Sequence, residues 1–192
     1  TALDPVTVAD IRRTLAERVR AAGCTTVFVT HDVVDAVAVA DRLVVLEAGR
    51  VSQQGPVREV LTAPATDFVA ALAGVNRVDG RVEDGVWGAG VLRLRAAGVR
   101  DGDAVALIPI GAVRLESEGS GASESEASGA GAAAAARAAG TATWTARVER
   151  IEATPAGARA YTASPPVVCE LTVAQMLAAE TAEGDAVRLS VD

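Results

Sequence analysis

The spacing of apolar residues over the first third of the chain predicts a helix followed by a strand. Apolar positions recur every three or four residues over residues 6–22, which is typical of an amphipathic helix that starts at Asp4-Pro5 and ends at Gly23. Residues 25–29 are instead continuously β-branched or apolar. Such a run is typical of a strand that is buried on both faces within a parallel sheet.

The same alternation continues to residue 73. The pattern predicts a short helix over residues 33–40, a strand over 42–47, and a hairpin turn at Ala48-Gly49-Arg50 leading into a strand over 51–54. Two further helices are expected, over residues 56–61 and 66–73. Strands that alternate with helices favour an α/β layer that ends near this point.

Beyond Gly74 the pattern changes to short strands separated by glycine and aspartate, which favours antiparallel β structure. The expected strands cover residues 77–83, 86–95, 103–109, 144–152, 158–163, 167–172 and 186–191. Between them, residues 116–140 are almost entirely Ser, Gly, Ala and Glu. This composition offers too little apolar surface for a packed core, so we expect a flexible linker there.

The two β segments, residues 75–115 and 141–192, carry traces of a repeat. Arg81-Val82 near the start of the first segment corresponds to Arg147-Val148 in the second. Near the end of each segment the four letters Gly-Asp-Ala-Val occur, at residues 102–105 and 184–187. We therefore predict two copies of one small barrel.

The composition indicates how many hydrophobic cores to expect and which classes of binding partner are disfavoured. Half of the residues are apolar but only 3% are aromatic, so two small cores of Val, Leu, Ile and Ala are expected rather than one large core. The net charge of −7 disfavours a nucleic-acid partner, whose phosphates would be repelled. The two cysteines are far apart and the chain has a single histidine, so no metal site is predicted.

That single histidine, His31, lies at the carboxyl end of the predicted strand over residues 25–29. Open α/β sheets bind their ligands at this end of their strands. A neutral imidazole there could donate a hydrogen bond to a phosphate oxygen or orient a water molecule. The alternative is a histidine whose ring is satisfied by a neighbouring carbonyl group.

Three segments, taken in order, resemble the end of the ATP-binding domain of ABC transporters. They are Thr1-Ala2-Leu3-Asp4, Val29-Thr30-His31-Asp32, and Asp41-Arg42 followed by Gly49-Arg50-Val51. The resemblance implies that residues 1–74 form the C-terminal part of a mostly parallel α/β ATPase domain. It implies that His31 is the switch-loop histidine that contacts the γ-phosphate of ATP. It also implies that Leu3 and Asp4 belong to the D-loop, with Thr1 in place of the usual serine.

The resemblance further implies ATP with Mg²⁺, a homodimer of ATPase subunits, integral-membrane permease subunits as partners, and a position on the cytoplasmic face of the cell membrane. The Gly-rich phosphate loop with its lysine and the carboxylate pair for magnesium are not found in the sequence. The family places both motifs, with its signature motif, upstream of the D-loop. We therefore expect the chain alone not to hydrolyse ATP, and residues 25–29 alone to have an exposed edge and an uncovered face.

The β segments resemble the accessory domain of importer ATPases, an all-β domain of two small OB-like barrels. Residues 68–76, ending in Ala73-Gly74-Val75-Asn76, resemble the junction to that domain. The sequence of this junction and residues 144–191 are most similar to molybdate importers with a TOBE or Mop-type module. Ile108-Pro109-Ile110 stands where many sugar and polyamine importers have Arg-Pro-Glu, which counts against those substrates. Sulfate, iron and polyamine importers remain the alternatives to molybdate.

An oxyanion bound by this acidic chain would need hydroxyl groups and backbone amides as donors. Thr162, Ser164 and Thr172 are the candidates for contact with molybdate or tungstate, and the alternative is that they are ordinary strand and turn residues. Two other functions use the same β segments. They could sense an anion and regulate the attached ATPase, or they could serve only for dimerisation.

Overall fold

A computed structural model describes residues 5–116, 142–179 and 181–191 of the chain. The chain divides into two compact units, Thr1–Ala73 and Gly74–Asp192. Within the part that is described, no helix has the length and apolar character needed to span a membrane.

The first unit combines helices with one β-hairpin. Its elements are α1 Pro5–Ala22, α2 Val33–Val39, β1 Arg42–Glu47, β2 Arg50–Pro56, α3 Val57–Thr62 and α4 Asp67–Leu72. The predicted helices and the predicted hairpin are confirmed, to within a few residues at each end. The turn forms because Ala48 and Gly49 adopt φ values of 47° and 76°, the left-handed conformations that a tight hairpin turn requires.

The strand predicted over residues 25–29 is wrong. This stretch has no regular secondary structure, and Val27 and Val29 are 89% and 97% exposed. A strand needs a neighbour to satisfy its backbone N–H and C=O groups, and no described strand pairs with this stretch. All pairings among the described strands are antiparallel, so the mostly parallel sheet is not found in this part of the chain.

The hairpin covers a small core on one face only. Val45 packs against Val60 of α3 and Val69 of α4, with partly buried leucines around them. On the opposite face Val44 and Leu46 are 60% and 63% exposed. One face of this two-stranded sheet is therefore apolar and open.

The described part of the second unit consists of two antiparallel sheets, one short α-helix and one turn of 3-10 helix, Ile110–Ala112. Its elements are β3 Val75–Glu83, β4 Val86–Ala89, β5 Leu92–Arg95, β6 Gly102–Pro109, β7 Val113–Leu115, β8 Ala142–Thr154, β9 Gly157–Thr162, β10 Val168–Thr172, α5 Val173–Ala179 and β11 Ala186–Val191. One sheet has the strand order β5-β4-β3-β6 and the other β10-β9-β8-β11-β7. The edge strands β7 and β10 of the second sheet contact each other, so that sheet is a nearly closed barrel.

Three features of this unit differ from the sequence predictions. The single strand expected over residues 86–95 is the hairpin of β4 and β5, because Gly90 adopts φ 57° and the chain reverses. Neither β7 nor α5 was predicted. Strand β7 belongs to the first β segment but pairs with β11 of the second, Leu115 opposite Leu189, so the two segments are not separate barrels.

The buried side chains of this unit form one cluster rather than two. Trp87 and Leu92 of the first β segment belong to the same cluster as Trp144 and Leu189 of the second. The two β segments therefore do not have separate cores, because strands of both contribute to one interior. The described residues nevertheless form two core clusters, this one and that of Val45, Val60 and Val69 in the first unit. The two tryptophans are 0% and 4% exposed, which places them in the core rather than at a ligand.

The repeated residues nevertheless occupy matching places in the two sheets. Val82 of β3 lies opposite Gly102 at the start of β6. In the second copy, the Gly184 N–H donates to the Val148 carbonyl at 2.8 Å, just before β11. Both glycines have positive φ values, 137° and 95°. The repeat thus marks two similar antiparallel pairs within a shared core.

A buried asparagine joins the two sheets. The Asn76 amide nitrogen, on β3, donates to the Val168 carbonyl at 2.9 Å, and the Val168 N–H on β10 donates to the Asn76 side-chain oxygen at 2.7 Å. The amide therefore satisfies both backbone groups of a residue in an edge strand of the other sheet, as a neighbouring strand would.

Candidate functional site

His31 lies in a short loop immediately before α2, and its side chain is exposed. The helix begins there because Asp32 is a favourable N-cap residue. One Asp32 carboxylate oxygen accepts a hydrogen bond from the Val34 N–H at 2.8 Å. The residue after the histidine is thus fixed by the start of the helix.

The residue before the histidine is fixed as well. The Thr30 hydroxyl oxygen accepts from the Asp32 N–H at 3.0 Å, and the same hydroxyl donates to a carboxylate oxygen of Asp35 at 3.0 Å. These two bonds close a turn around His31. The backbone on both sides of the imidazole is therefore held in one conformation.

Arg12 of α1 holds this loop from the other side. Its guanidinium contacts the carboxylates of Asp32 and Asp35 through two different nitrogens, Nη2 and Nε. The hydrogen bond from Arg12 keeps the pKa of the Asp35 carboxyl below its usual value, against the opposing effect of partial burial. The same bond raises the pKa of Arg12. Arg12, Asp32 and Asp35 therefore form one cluster of ion pairs next to the His31 loop.

The imidazole itself is left available by these contacts. Among the described residues, none exchanges a hydrogen bond with the His31 ring. The alternative of a histidine satisfied by a neighbouring carbonyl therefore does not describe this loop. An exposed ring on a fixed backbone can donate to, or accept from, a group outside this unit.

Beside the loop lies an open apolar groove between α1 and residues 28–30. Val8, Ile11, Leu15, Phe28 and Val39 contribute to its walls. Ile11 and Leu15 are 50% and 44% exposed, although the spacing of α1 predicts that they face a core. The apolar face of α1 is thus only partly covered within the described residues.

The remaining candidates in this unit cannot be placed. Leu3 and Asp4, which the resemblance assigns to the D-loop, lie outside the described residues.

Of the three hydroxyl candidates for an oxyanion, Thr162 is committed to a turn. It is 3% exposed, and its hydroxyl oxygen lies 2.9 Å from the Pro165 carbonyl and 3.0 Å from the Val167 carbonyl. The Val167 N–H donates back to it at 3.3 Å. Ser164 is exposed on the same turn.

Thr172 lies elsewhere and caps α5. Its hydroxyl donates to the Gln175 side-chain oxygen at 2.9 Å and accepts from the Gln175 N–H at 3.2 Å. Thr172 lies opposite Gly157 at one end of the β9 and β10 pair, and Thr162 lies at the other end. At about 3.3 Å per residue the two are about 17 Å apart, so one small anion could not contact both.

Sequence reasoning singled out His31 as a candidate but not the residues that hold its loop. Arg12, Thr30 and Asp35 were not singled out, although one local signal was present. Asp32 immediately precedes an apolar run and Asp35 follows three residues later, which is the spacing of a helix N-terminus. The contribution of Arg12 had no local signal, because it is 20 residues from Asp32 along the chain.

No protein-family profile matches the chain. Among curated proteins, it is 46% identical over 82 residues to the molybdenum import ATP-binding protein ModC of Mycobacterium tuberculosis (strain ATCC 25618 / H37Rv), which covers 43% of this chain and 22% of the relative. It is 42% identical over 108 residues to the sulfate/thiosulfate import ATP-binding protein CysA of Caulobacter vibrioides. This match covers 56% of this chain and 32% of the relative. It is 40% identical over 110 residues to the sn-glycerol-3-phosphate import ATP-binding protein UgpC of Cupriavidus pinatubonensis. This match covers 55% of this chain and 30% of the relative.

These matches span less than a third of each relative's length. They confirm the resemblance at the level of import ATP-binding proteins. They do not single out one substrate, since relatives with three different import names match with similar identity.

Proposed function

We propose that the chain is part of the ATP-binding subunit of an ABC importer for an oxyanion, with molybdate as the first candidate. The observation that carries the proposal is His31, an exposed imidazole on a loop that is fixed on both sides. The similarity to import ATP-binding proteins supports the same function. In this proposal the chain supplies the switch loop and an accessory domain, and works with a second subunit and with membrane permease subunits on the cytoplasmic face.

His31 fits a role at a terminal phosphate. A neutral imidazole can donate to a phosphate oxygen through one ring nitrogen and accept from a water molecule through the other. Phosphoryl transfer depends mainly on positioning and on stabilising charge, so a ring held on a fixed loop suits that reaction. ATP hydrolysis supplies the energy for transport, and the role of His31 is to orient the groups at the γ-phosphate.

The chain's own carboxylates do not fit a magnesium site next to His31. Asp32 and Asp35 are both bonded to the Arg12 guanidinium, so their charge is already compensated. In this proposal the phosphate cradle and the magnesium ligands lie in other parts of the intact subunit. Leu3 and Asp4 of this chain contact the nucleotide of the partner subunit.

Replacing His31 with alanine in the intact subunit is expected to lower ATP turnover at least about ten-fold while ATP affinity changes little. The ring positions groups for the chemical step, and its loss removes an interaction made in the transition state. Phosphate release measures turnover, and equilibrium binding of a nucleotide measures affinity. Thr25→Ala, an exposed change in the preceding segment, is the matched control. Full turnover in the His31 variant would contradict the role proposed for it.

The oxyanion assignment rests on chemistry that the relatives' names share. Sulfate, molybdate and a phosphate ester all present a tetrahedral group with oxygen acceptors. We propose that the Gly74–Asp192 unit binds such an anion at the turn over residues 162–167, where Ser164 is exposed. Ser164 would supply the donors there, because Pro165 and Pro166 have no N–H and the other amides of the turn are bonded within the protein. Thr172 is less suitable, because its hydroxyl is engaged by Gln175.

Titration calorimetry of the whole chain with molybdate, tungstate and sulfate tests this site. We expect saturable heat with molybdate and tungstate, and about ten-fold weaker binding in the Ser164→Ala variant, which loses one hydrogen bond to a charged group. Thr172→Val is the matched control and should bind as the parent chain does. The absence of saturable heat with all three anions would leave this unit as a dimerisation domain.

A further inference from the structure

We propose that Arg12 is a positioning residue for His31, acting through Asp32 and Asp35. The inference rests on the proposed function of His31 and extends it to a side chain on another helix. Arg12 does not reach the imidazole in this arrangement. It determines where the imidazole is held.

The contacts form a continuous chain from α1 to the histidine. Arg12 bonds Asp32, whose backbone follows His31 directly, and it bonds Asp35 in the first turn of α2. Asp35 in turn accepts from the Thr30 hydroxyl, and Thr30 precedes His31 directly. One guanidinium is therefore linked to both neighbours of the histidine.

No regular structure replaces this link. Residues 25–30 form no strand, so the backbone leading to His31 lacks the hydrogen bonds of a sheet. Val29, two residues before the histidine, is 97% exposed and contributes little packing. The ion pairs that the structure describes between this loop and α1 are thus those of Arg12.

The geometry requires an arginine rather than any cation. The guanidinium is planar and offers donors in several directions, so that Nε and Nη2 serve two different carboxylates at once. A lysine ammonium is a single point charge at the end of a flexible stem. Without a cation, the carboxylates of Asp32 and Asp35 would repel each other within one helical turn.

The first experiment uses NMR of the chain, in which His31 gives the only histidine signals. Arg12→Gln is expected to lower the ¹⁵N heteronuclear NOE of the His31 amide and to move its ring signals towards those of an unstructured peptide. Arg13→Gln is the matched control, because Arg13 is exposed and, among the described residues, pairs with Asp10 of its own helix at 2.9 Å. An unchanged His31 loop in the Arg12 variant, with α1 still helical by circular dichroism, would overturn the inference.

The second experiment measures ATP turnover of the intact subunit. Arg12→Gln is expected to lower kcat about ten-fold with little change in KM for ATP, and the double variant with His31→Ala should be no slower than His31→Ala alone. Additive losses in the double variant would show that Arg12 acts independently of His31, and would overturn the inference. If Arg12→Gln fails to fold, Arg12→Lys replaces it, with an intermediate kcat expected and full turnover contradicting the proposal.

The proposal for His31 and the proposal for Arg12 are refuted by different results. Full turnover in His31→Ala would refute the function assigned to the histidine. A slow His31→Ala enzyme together with a fast Arg12→Gln enzyme would refute only the positioning role of Arg12.

Discussion

Replacing Gly157 with alanine is expected to lower the free energy of unfolding of the Gly74–Asp192 unit by about 4 kcal/mol. Gly157 begins β9 with φ 151°, a conformation that other residues rarely adopt. A Cβ atom there would lie 2.0 Å from the Leu171 carbonyl oxygen and 3.1 Å from the Thr172 Cα atom. These are backbone atoms of the neighbouring β10, so the clash could be relieved only by separating the two strands.

Denaturant unfolding followed by tryptophan fluorescence measures this effect in one unit alone. Both tryptophans of the chain, Trp87 and Trp144, are buried in the Gly74–Asp192 unit. Gly111→Ala is the matched control, because a Cβ atom there meets nothing within 4 Å. The control should change stability by no more than about 0.5 kcal/mol. Equal stability of the two variants would show that β9 and β10 do not approach this closely in solution.

The elements that sequence reasoning found are those whose signals are local. The spacing of apolar residues was enough for α1, because a helix satisfies its own backbone hydrogen bonds. The hairpin of β1 and β2 was also predictable, because its turn needs residues that tolerate positive φ and Gly49 supplies one. In both cases the hydrogen-bond partners lie close by in the sequence.

The strand over residues 25–29 shows where local signals fail. Its β-branched residues favour an extended backbone, but the segment has no regular secondary structure. Being a strand also requires a neighbour, which composition does not reveal. Val27 and Val29 therefore project from an unpaired segment, although their sequence is that of a buried strand.

The single core of the second unit was missed for a related reason. The Gly-Asp-Ala-Val repeat predicted two copies of one barrel. Its residues lie in two similar antiparallel pairs, but the repeat carries no information on how these pairs are combined. The pairing of Leu115 with Leu189 joins residues that are far apart in the chain. Non-local pairings of this kind leave no periodic pattern, so two barrels and one shared core predict the same local sequence.

The candidate site also has one part with a local sequence signal and one part without. His31 could be found because it is the only histidine and follows a strand-like run. The residues that hold its loop could not be predicted from the sequence, because their ionic cluster depends on α1 lying beside α2. Arg12 is one of several arginines on that helix, and Arg13 next to it is exposed and pairs locally. Only the packing of two helices distinguishes the two arginines.

Replacing Asn76 with alanine is expected to lower the free energy of unfolding of the same unit by about 3 kcal/mol. Asn76 is 5% exposed, and its amide is bonded to both the N–H and the C=O of Val168. Alanine would leave both backbone groups without these partners. An unsatisfied buried polar group costs about 1–3 kcal/mol, and here two are created together.

The loss of stability should come from removing the Asn76 amide, and not from any substitution on the same strand. Glu83→Ala is the matched control, because Glu83 lies on the same strand, its side chain is 74% exposed, and its ion-pair partner Arg81 is 59% exposed. It should change stability by less than about 1 kcal/mol. In the Asn76 variant, amide hydrogen exchange of Val168 should accelerate more than that of Cys169, which pairs within its own sheet. Unchanged exchange at Val168 would show that Asn76 does not join the two sheets, and that the shared apolar core alone holds them together.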